Sequence, residues 1–505
     1  MDIKFDKFVN IGPGELVVNS PLTILIGNNG VGKTLLLETY AKTNDFFIEK
    51  VMSTKFINEI ADKMEFETKI LNKHTKPYVE VNKWGLKKNS EEQVDGHTIS
   101  FEVKSKLLNK EEIFSYTDKN VGKMLSEIQK VIEQDILFIN VQGEQNNLIK
   151  NFGPKFVIPI LKVCEDITYN VELISPMITN DTDNEIDSNS FSAIGDSLSI
   201  DFGDKTFHGR VSTRKWVTRE ENILYEQKIL NNEYDIIHKE LKNIISDVLK
   251  DLTIKENDLK VISYIPSERI VSMSKFIEKQ VSENNYNGLR YSEEKFAKEY
   301  ISFKEYYSLT SDKLKEEVFF NETYKKLLGG SPQFDETGEI IGIKDTNGIV
   351  VNRTLFSTKQ NKIYPFFMLH GNYNRKTYSR FNGRAGFHNL RSRSKTIIIE
   401  EPEANLSTKG ILEMANYIYE LNKKNQIILS THSDVFLSQI NNLYLKNSEI
   451  DKVSGYEILD TTIPFFIKKL EVSGKLGVSS DFITSQLELL YENTESIQHE
   501  IDRLE

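Results

Sequence analysis

Three short runs of mainly apolar residues stand out along the chain. Leu22 to Ile26, Thr396 to Ile399 and Gln426 to Leu429 are runs rich in Ile and Leu without polar alternation. Runs of that length and character are strands covered on both faces. A fourth strand is read at Leu259–Ile265, and two more precede the first run, at residues 3–11 and 15–19. Alternation at Tyr78–Val81, Thr98–Val103 and Leu198–Phe202 predicts antiparallel strands with one wet face. Helical stretches fall near Ile60 and over Gly122–Gln134. A longer helix is expected from Thr218 to about Leu252, where Leu230, Tyr234, Ile237, Leu241, Ile244 and Val248 recur at intervals of four and three. That spacing is a heptad seam, open to a partner helix or to the helix's own domain. A second helical region runs to Leu328 and stops at Gly329-Gly330. Two hairpin-like strands come next, Glu339–Lys344 and Gly348–Val351, after the turn sequences DETG and DTNG. Helices from about Gln360, over Gly410–Leu421 and over Phe482–Leu504 complete the reading. The pattern predicts an α/β fold with an antiparallel β portion and a helical insertion forming a short stalk. The expected segments are 1–215, 216–330, 331–481 and a terminal helix 482–505.

The bulk properties narrow the class. At 505 residues the chain should hold two or three packed units. With 39% hydrophobic and 28% charged residues it has the balance of a soluble globular protein, and no run of 18 apolar residues is present. The amino terminus, MDIKFDKFVNIG, lacks a basic start and an apolar core, so a cytoplasmic location is expected. A single cysteine, Cys164, excludes an internal disulfide and a cysteine-based zinc cluster. The net charge of −11 speaks against nonspecific coating of nucleic acid by the whole surface and leaves local basic patches open. Thr179 to Ser190, TNDTDNEIDSNS, reads as a solvated loop.

The first buried run carries chemistry. It is followed at once by G-x-x-x-x-G-K-T, residues 27–34, and then by a helix. Gly27, Gly30 and Gly32 let the backbone turn tightly, so that N–H groups, including those of Asn28 and Asn29, face one concavity. Lys33 can reach the outer phosphates of a nucleotide. The Thr34 hydroxyl can ligate magnesium, and the helix opening through Leu35 adds its positive end. Such a loop needs carboxylates, one toward the metal and one to activate water. KTIIIEEPEANLS, residues 395–407, supplies both: Glu400 ends a buried strand, where ligands of open α/β sheets collect, and Glu401 follows it. Glu400 is therefore read as the magnesium-side acid and Glu401 as the general base. The strand after it ends in Thr431-His432-Ser433, which sets His432 beside the γ-phosphate as a charge sensor or hydrogen-bond donor.

GNNGVGKT, IIIEEPEANLS and IILSTHSD, in that order with a large insertion after the first, resemble the Walker A, Walker B with D-loop, and H-loop of ABC-type P-loop ATPases. The form EEPEANL is similar to the OLD, RecF and SMC-like branch. Tyr264–Arg269, YIPSER, and the stretch from Leu327 to Phe367 resemble segments of prokaryotic anti-phage ATPases of that branch. The resemblance is anchored in about a third of the chain. It implies ATP and magnesium as cofactors, with Lys33, Thr34, Glu400, Glu401 and His432 matching position by position and residues 404–407 as the D-loop. The family's signature would fall on Phe356 to Gln360, so that Ser357, Lys359 and Gln360 would face the ATP of a partner subunit. Lys359 stands where the family has glycine, and either lends positive charge or marks slow or absent hydrolysis. Gln142 is a candidate for the Q-loop. One head per chain implies a homodimer, or a higher homo-oligomer, sandwiching ATP.

The chain departs from the family's longer members: it has neither a long coiled coil nor the cysteines of a zinc hook. The 73 residues after His432 contain no D-x-D beside an apolar strand, so no nuclease is read in the chain itself. Gly371–Lys395 holds five arginines, two lysines, four aromatics and no acid. Arg375, Arg380 and Arg384 there would contact DNA, or the stretch would meet an acidic protein. Two functions are compatible with these features. One is the ATPase subunit of an anti-phage system, resembling Septu-like, PARIS-like or retron-associated ATPases, that holds a separate nuclease or toxin. The other is a RecF-like, DNA-binding ATPase of repair or chromosome maintenance.

Overall fold

A computed structural model describes residues 1–53, 55–78, 94–107, 110–137, 149–160, 162, 168–176, 196–202, 205–211, 238–239, 241–269, 273–285, 288–308, 322–369, 395–460, 463–480, 484 and 491–495. The chain divides into two compact units that interleave in sequence. Unit 1 comprises residues 1–50, 122–156 and 257–505, and unit 2 comprises 51–121 and 157–256. The segment 216–330, expected as one helical insertion, is thus shared between the units at residue 257.

Unit 1 is built on a six-stranded mixed sheet in the order Ile262–Ile265, Thr396–Glu400, Gln426–Thr431, Leu22–Gly27, Val453–Leu459, Phe466–Lys469. The first five strands run parallel and the last is antiparallel. Every residue of the four strands from Ile262–Ile265 to Leu22–Gly27 is buried, as the unalternating runs require. On one face Leu22, Ile24, Ile26, Ile397, Ile399, Ile427 and Leu429 join a single core. Phe296, Tyr300 and Phe303 of helix Tyr291–Ser308, Tyr417 of helix Thr408–Asn422 and Phe436 of helix Asp434–Lys446 enter the same core. The second helical region is therefore part of this body. The hairpin expected after it is a three-stranded antiparallel meander, Ser331–Phe334, Ile340–Lys344 and Val350–Asn352. Its first strand carries Pro332, a residue that masks a strand in the sequence pattern and is tolerated at a sheet edge.

Unit 2 contains a five-stranded antiparallel sheet in the order Lys205–Val211, Asp196–Phe202, Thr168–Pro176, Val94–Leu107, Met64–Tyr78. The alternating stretches at 98–103 and 198–202 lie within it. Its helix over residues 241–256 buries Leu241, Ile245, Val248 and Leu249, while Ile244 is half-buried. The buried stripe thus follows the 3.6-residue period of a helix packed on its own unit. Ser246 bonds Asn58 across to helix Lys55–Asp62 at 2.5 Å. Leu230, Tyr234, Ile237, Cys164, the acidic stretch 179–190 and most of the terminal helix 482–504 lie outside the described residues. No helix among the described residues is long and apolar enough to cross a membrane.

Candidate functional site

Because five of the six strands of the sheet are parallel, their carboxyl ends share one edge, and the chemistry-bearing residues lie along it. Leu22–Gly27 opens there into the glycine turn, with Gly30 and Gly32 at φ 83° and 96°. Gly27 has no alternative: a Cβ on it would meet the Ile458 carbonyl oxygen at 2.8 Å. Helix Lys33–Ser53 then begins without an acidic residue in its first turn, so its positive end is not neutralised from within. Lys33 is buried, with Nζ donating to the carbonyls of Gly27 (2.7 Å) and Asn28 (2.8 Å). Burial lowers its pKa, opposed by the nearby carboxylates of Glu401, Glu403 and Glu400. Asn28 also donates from Nδ2 to Asp460 at 2.8 Å, which ties the turn to the neighbouring strand end. Asn29 is exposed, and Thr34 and Leu35 are half-buried.

On the next strand but one, Glu400 is 1% exposed. Its Oε1 accepts from the Tyr264 hydroxyl at 2.6 Å and its Oε2 from the Ser267 N–H at 3.2 Å. Burial nonetheless raises its carboxyl above the ordinary 4.5. The turn after the Tyr264 strand, which supplies the Ser267 donor, is pinned by Arg269, which is wholly buried. Arg269 donates to the carbonyls of Lys362 (2.8 Å), Pro266 (3.2 Å) and Glu400 (3.4 Å) and lies 5.1 Å from the Phe366 ring. Burial pushes it down to about 10. Tyr264, Ser267 and Arg269 received no role from the sequence. The signal was available, since YIPSER spans the end of a strand whose carboxyl end shares this edge.

Glu401 sits at φ +41°, a conformation uncommon outside glycine, and its Oε1 lies 3.5 Å from Nδ1 of His432. His432 directly follows the adjacent strand, which ends at Thr431, and is about 39% exposed. Glu403, whose acid had no assigned role, is buried against the same strand end. Lys33, Glu400, Glu401 and His432 therefore converge. Ser357, Lys359 and Gln360 make their contacts elsewhere in unit 1. Ser357 and Gln360 form a capping box at the start of helix Thr358–Ile363, and Lys359 donates to Glu413 at 2.6 Å. Gln142 and Arg375, Arg380 and Arg384 lie outside the described residues.

The raised carboxyl of Glu400 has a thermodynamic consequence. Its folded value exceeds its unfolded one, so between the two the folded chain binds more protons and its stability falls as pH rises. Urea midpoints should therefore drop for the wild type relative to Glu400→Gln as pH is raised from 4.5 to 7. A constant difference across that range would contradict this assignment.

No protein-family model matches the chain, and no curated protein matches it. Solved structures with some similarity include SMC heads. The SMC head bound to the C-winged helix domain of ScpA shares 11% identity over 94% of this chain and 98% of its own, with a TM-score of 0.30. The SMC head domain from Thermotoga maritima shares 9% over 93% and 98%, at 0.28. The Smc head domain with an extended coiled coil, bound to the C-terminal domain of ScpA and derived from Pyrococcus furiosus, shares 12% over 98% of both chains, at 0.32. At these TM-scores the likeness bears on neither fold nor function. Function is read from the sheet edge itself.

Proposed function

We propose that this chain is an ATP-hydrolysing switch of the ABC type that holds and releases a separate nuclease or toxin effector in an anti-phage system. The observation that carries the ATPase part is the convergence, on one edge of a parallel sheet, of a glycine turn, a buried lysine, two successive glutamates and a histidine. The turn and the helix start would hold the phosphates, with Lys33 toward the outer ones. The donors Thr34 and Glu400 are both oxygens, the hard ligands that suit magnesium, and would hold it together with phosphate oxygens. When bound, the ion neutralises charge on the phosphates. Glu401 accepts the proton of the attacking water, and His432, facing Glu401 through Nδ1, presents its other nitrogen to the phosphate.

Two such heads would sandwich ATP, each offering the start of helix Thr358–Ile363 to the other. Lys359 is engaged by Glu413, so its charge is already partnered within its own chain. The effector role rests on the resemblance of the sequence and on the lack of a nuclease signature in it. Tagged Glu401→Gln protein, purified from its native genetic background with ATP present, is expected to bring down a second protein of nuclease or toxin chemistry in stoichiometric amount. Recovery of DNA alone, with no protein partner, would replace this reading by direct DNA maintenance.

A further inference from the structure

Glu403 is 4% exposed and has no assigned part in holding phosphate, magnesium or water. Its Oε1 accepts from the Thr431 hydroxyl at 2.6 Å and from the His432 N–H at 3.3 Å, and lies 3.9 Å from Nδ1 of His432. One carboxylate oxygen thus grips the whole end of the neighbouring strand. The turn that carries Glu403 is the one that carries Glu401. It is closed by Ala404 N–H to the Glu401 carbonyl (3.1 Å) and by Leu406 N–H to the Glu403 carbonyl (3.0 Å), while Glu401 N–H reaches the Ser430 carbonyl (3.0 Å). Two residues of this turn, Glu401 and Asn405, are at positive φ without being glycine, at 41° and 61°. Such backbone persists only where surrounding contacts over-determine it. Of these contacts, the Glu401 N–H and the Glu403 side chain are the ones that tie the turn to the histidine strand.

We propose that Glu403 is the positioning residue of this site, a buried clamp that fixes the Glu401 turn to the strand end and sets the Glu401 carboxylate against His432. The inference rests on the ATPase reading for its catalytic consequence and on geometry alone for the clamp. Glu403 itself touches no reacting atom. Its removal should act chiefly on turnover, because the phosphate loop makes none of these hydrogen bonds; the carboxylate's charge lies near Lys33, so nucleotide affinity should change little or rise. A displacement of about 1 Å in a reacting group can cost on the order of 100-fold in rate.

The test compares Glu403→Ala, Glu403→Gln and Thr431→Val by amide hydrogen exchange and by steady-state ATP hydrolysis with magnesium. Glu403→Ala is expected to speed exchange at the amides of 401, 404, 406 and 432 and to lower kcat at least about 10-fold with KM within about two-fold, the pattern of a lost transition-state interaction. Glu403→Gln keeps a carbonyl oxygen where Oε1 stood. It should retain the wild-type exchange pattern and most of kcat. Thr431→Val removes only the hydroxyl and reproduces the alanine effect in part, which covers the case of an alanine variant that does not fold. Wild-type exchange at the four amides in both Glu403→Ala and Thr431→Val would overturn the clamp, and faster exchange with unchanged kcat would overturn its positioning role. Should the wild-type chain hydrolyse nothing, the ATPase reading fails while the exchange arm still decides the clamp.

Discussion

Glu401→Gln is expected to lower phosphate release from ATP by about 10²- to 10⁴-fold, the usual contribution of a positioned general base. The amide keeps the size of the side chain and one acceptor oxygen, and cannot take a proton. Glu401 is suited to the role by its surroundings: it is the most accessible of the three glutamates around Lys33, with its side chain 28% exposed, whereas Glu400 and Glu403 are buried. Water can therefore reach it. The turn that holds it is fixed through Ser430 and Thr431, so the substitution should leave the fold intact. Nucleotide affinity should stay within a few-fold of wild type, and ATP should accumulate on the protein. Turnover at the wild-type rate would remove Glu401 from the chemistry.

Lys33→Ala is expected to lower kcat/KM for ATP by on the order of 10²- to 10³-fold, comparable to the loss of one preorganised donor to a developing negative charge. Here both binding and turnover should fall, in contrast to Glu401→Gln. Lys33 also stands among Glu400, Glu401 and Glu403, and its ammonium offsets their mutual repulsion. Without it the phosphates of ATP would approach three carboxylates with only the helix end and the bound ion to oppose them. A fluorescent ATP analogue titrated into wild-type and variant protein reads the binding part directly. Equal affinities would contradict the assignment.

Much of this site is legible in the sequence because burial on both faces leaves a plain mark. Leu22–Gly27, Thr396–Glu400 and Gln426–Thr431 are parallel and wholly covered, so each carries a run of Ile and Leu without alternation, and the residues at the end of each run fall on one edge. That is why Lys33 can be placed together with Glu401 and His432, hundreds of positions further along the chain. The supports of the site leave no such mark. Tyr264 meets Glu400 across 136 positions, and Lys359 meets Glu413 across 54, through pairings that no local period encodes. Glu403 lies in the motif itself, but an acid in a polar turn looks solvated until the Thr431 hydroxyl is seen against it. The division into units was hidden for a related reason. The chain leaves unit 1 after Lys50 and returns at Gly122, within the run of helix Lys110–Val131, where the hydrophobic pattern continues unbroken.

The most direct test of the central claim is a single-turnover measurement with γ-labelled ATP, using wild-type chain in excess over nucleotide, with magnesium and again with a chelator. Stoichiometric release of labelled phosphate in magnesium, abolished by the chelator and by Glu401→Gln, is the predicted result. ATP recovered intact at all protein concentrations would contradict the hydrolytic reading of this sheet edge.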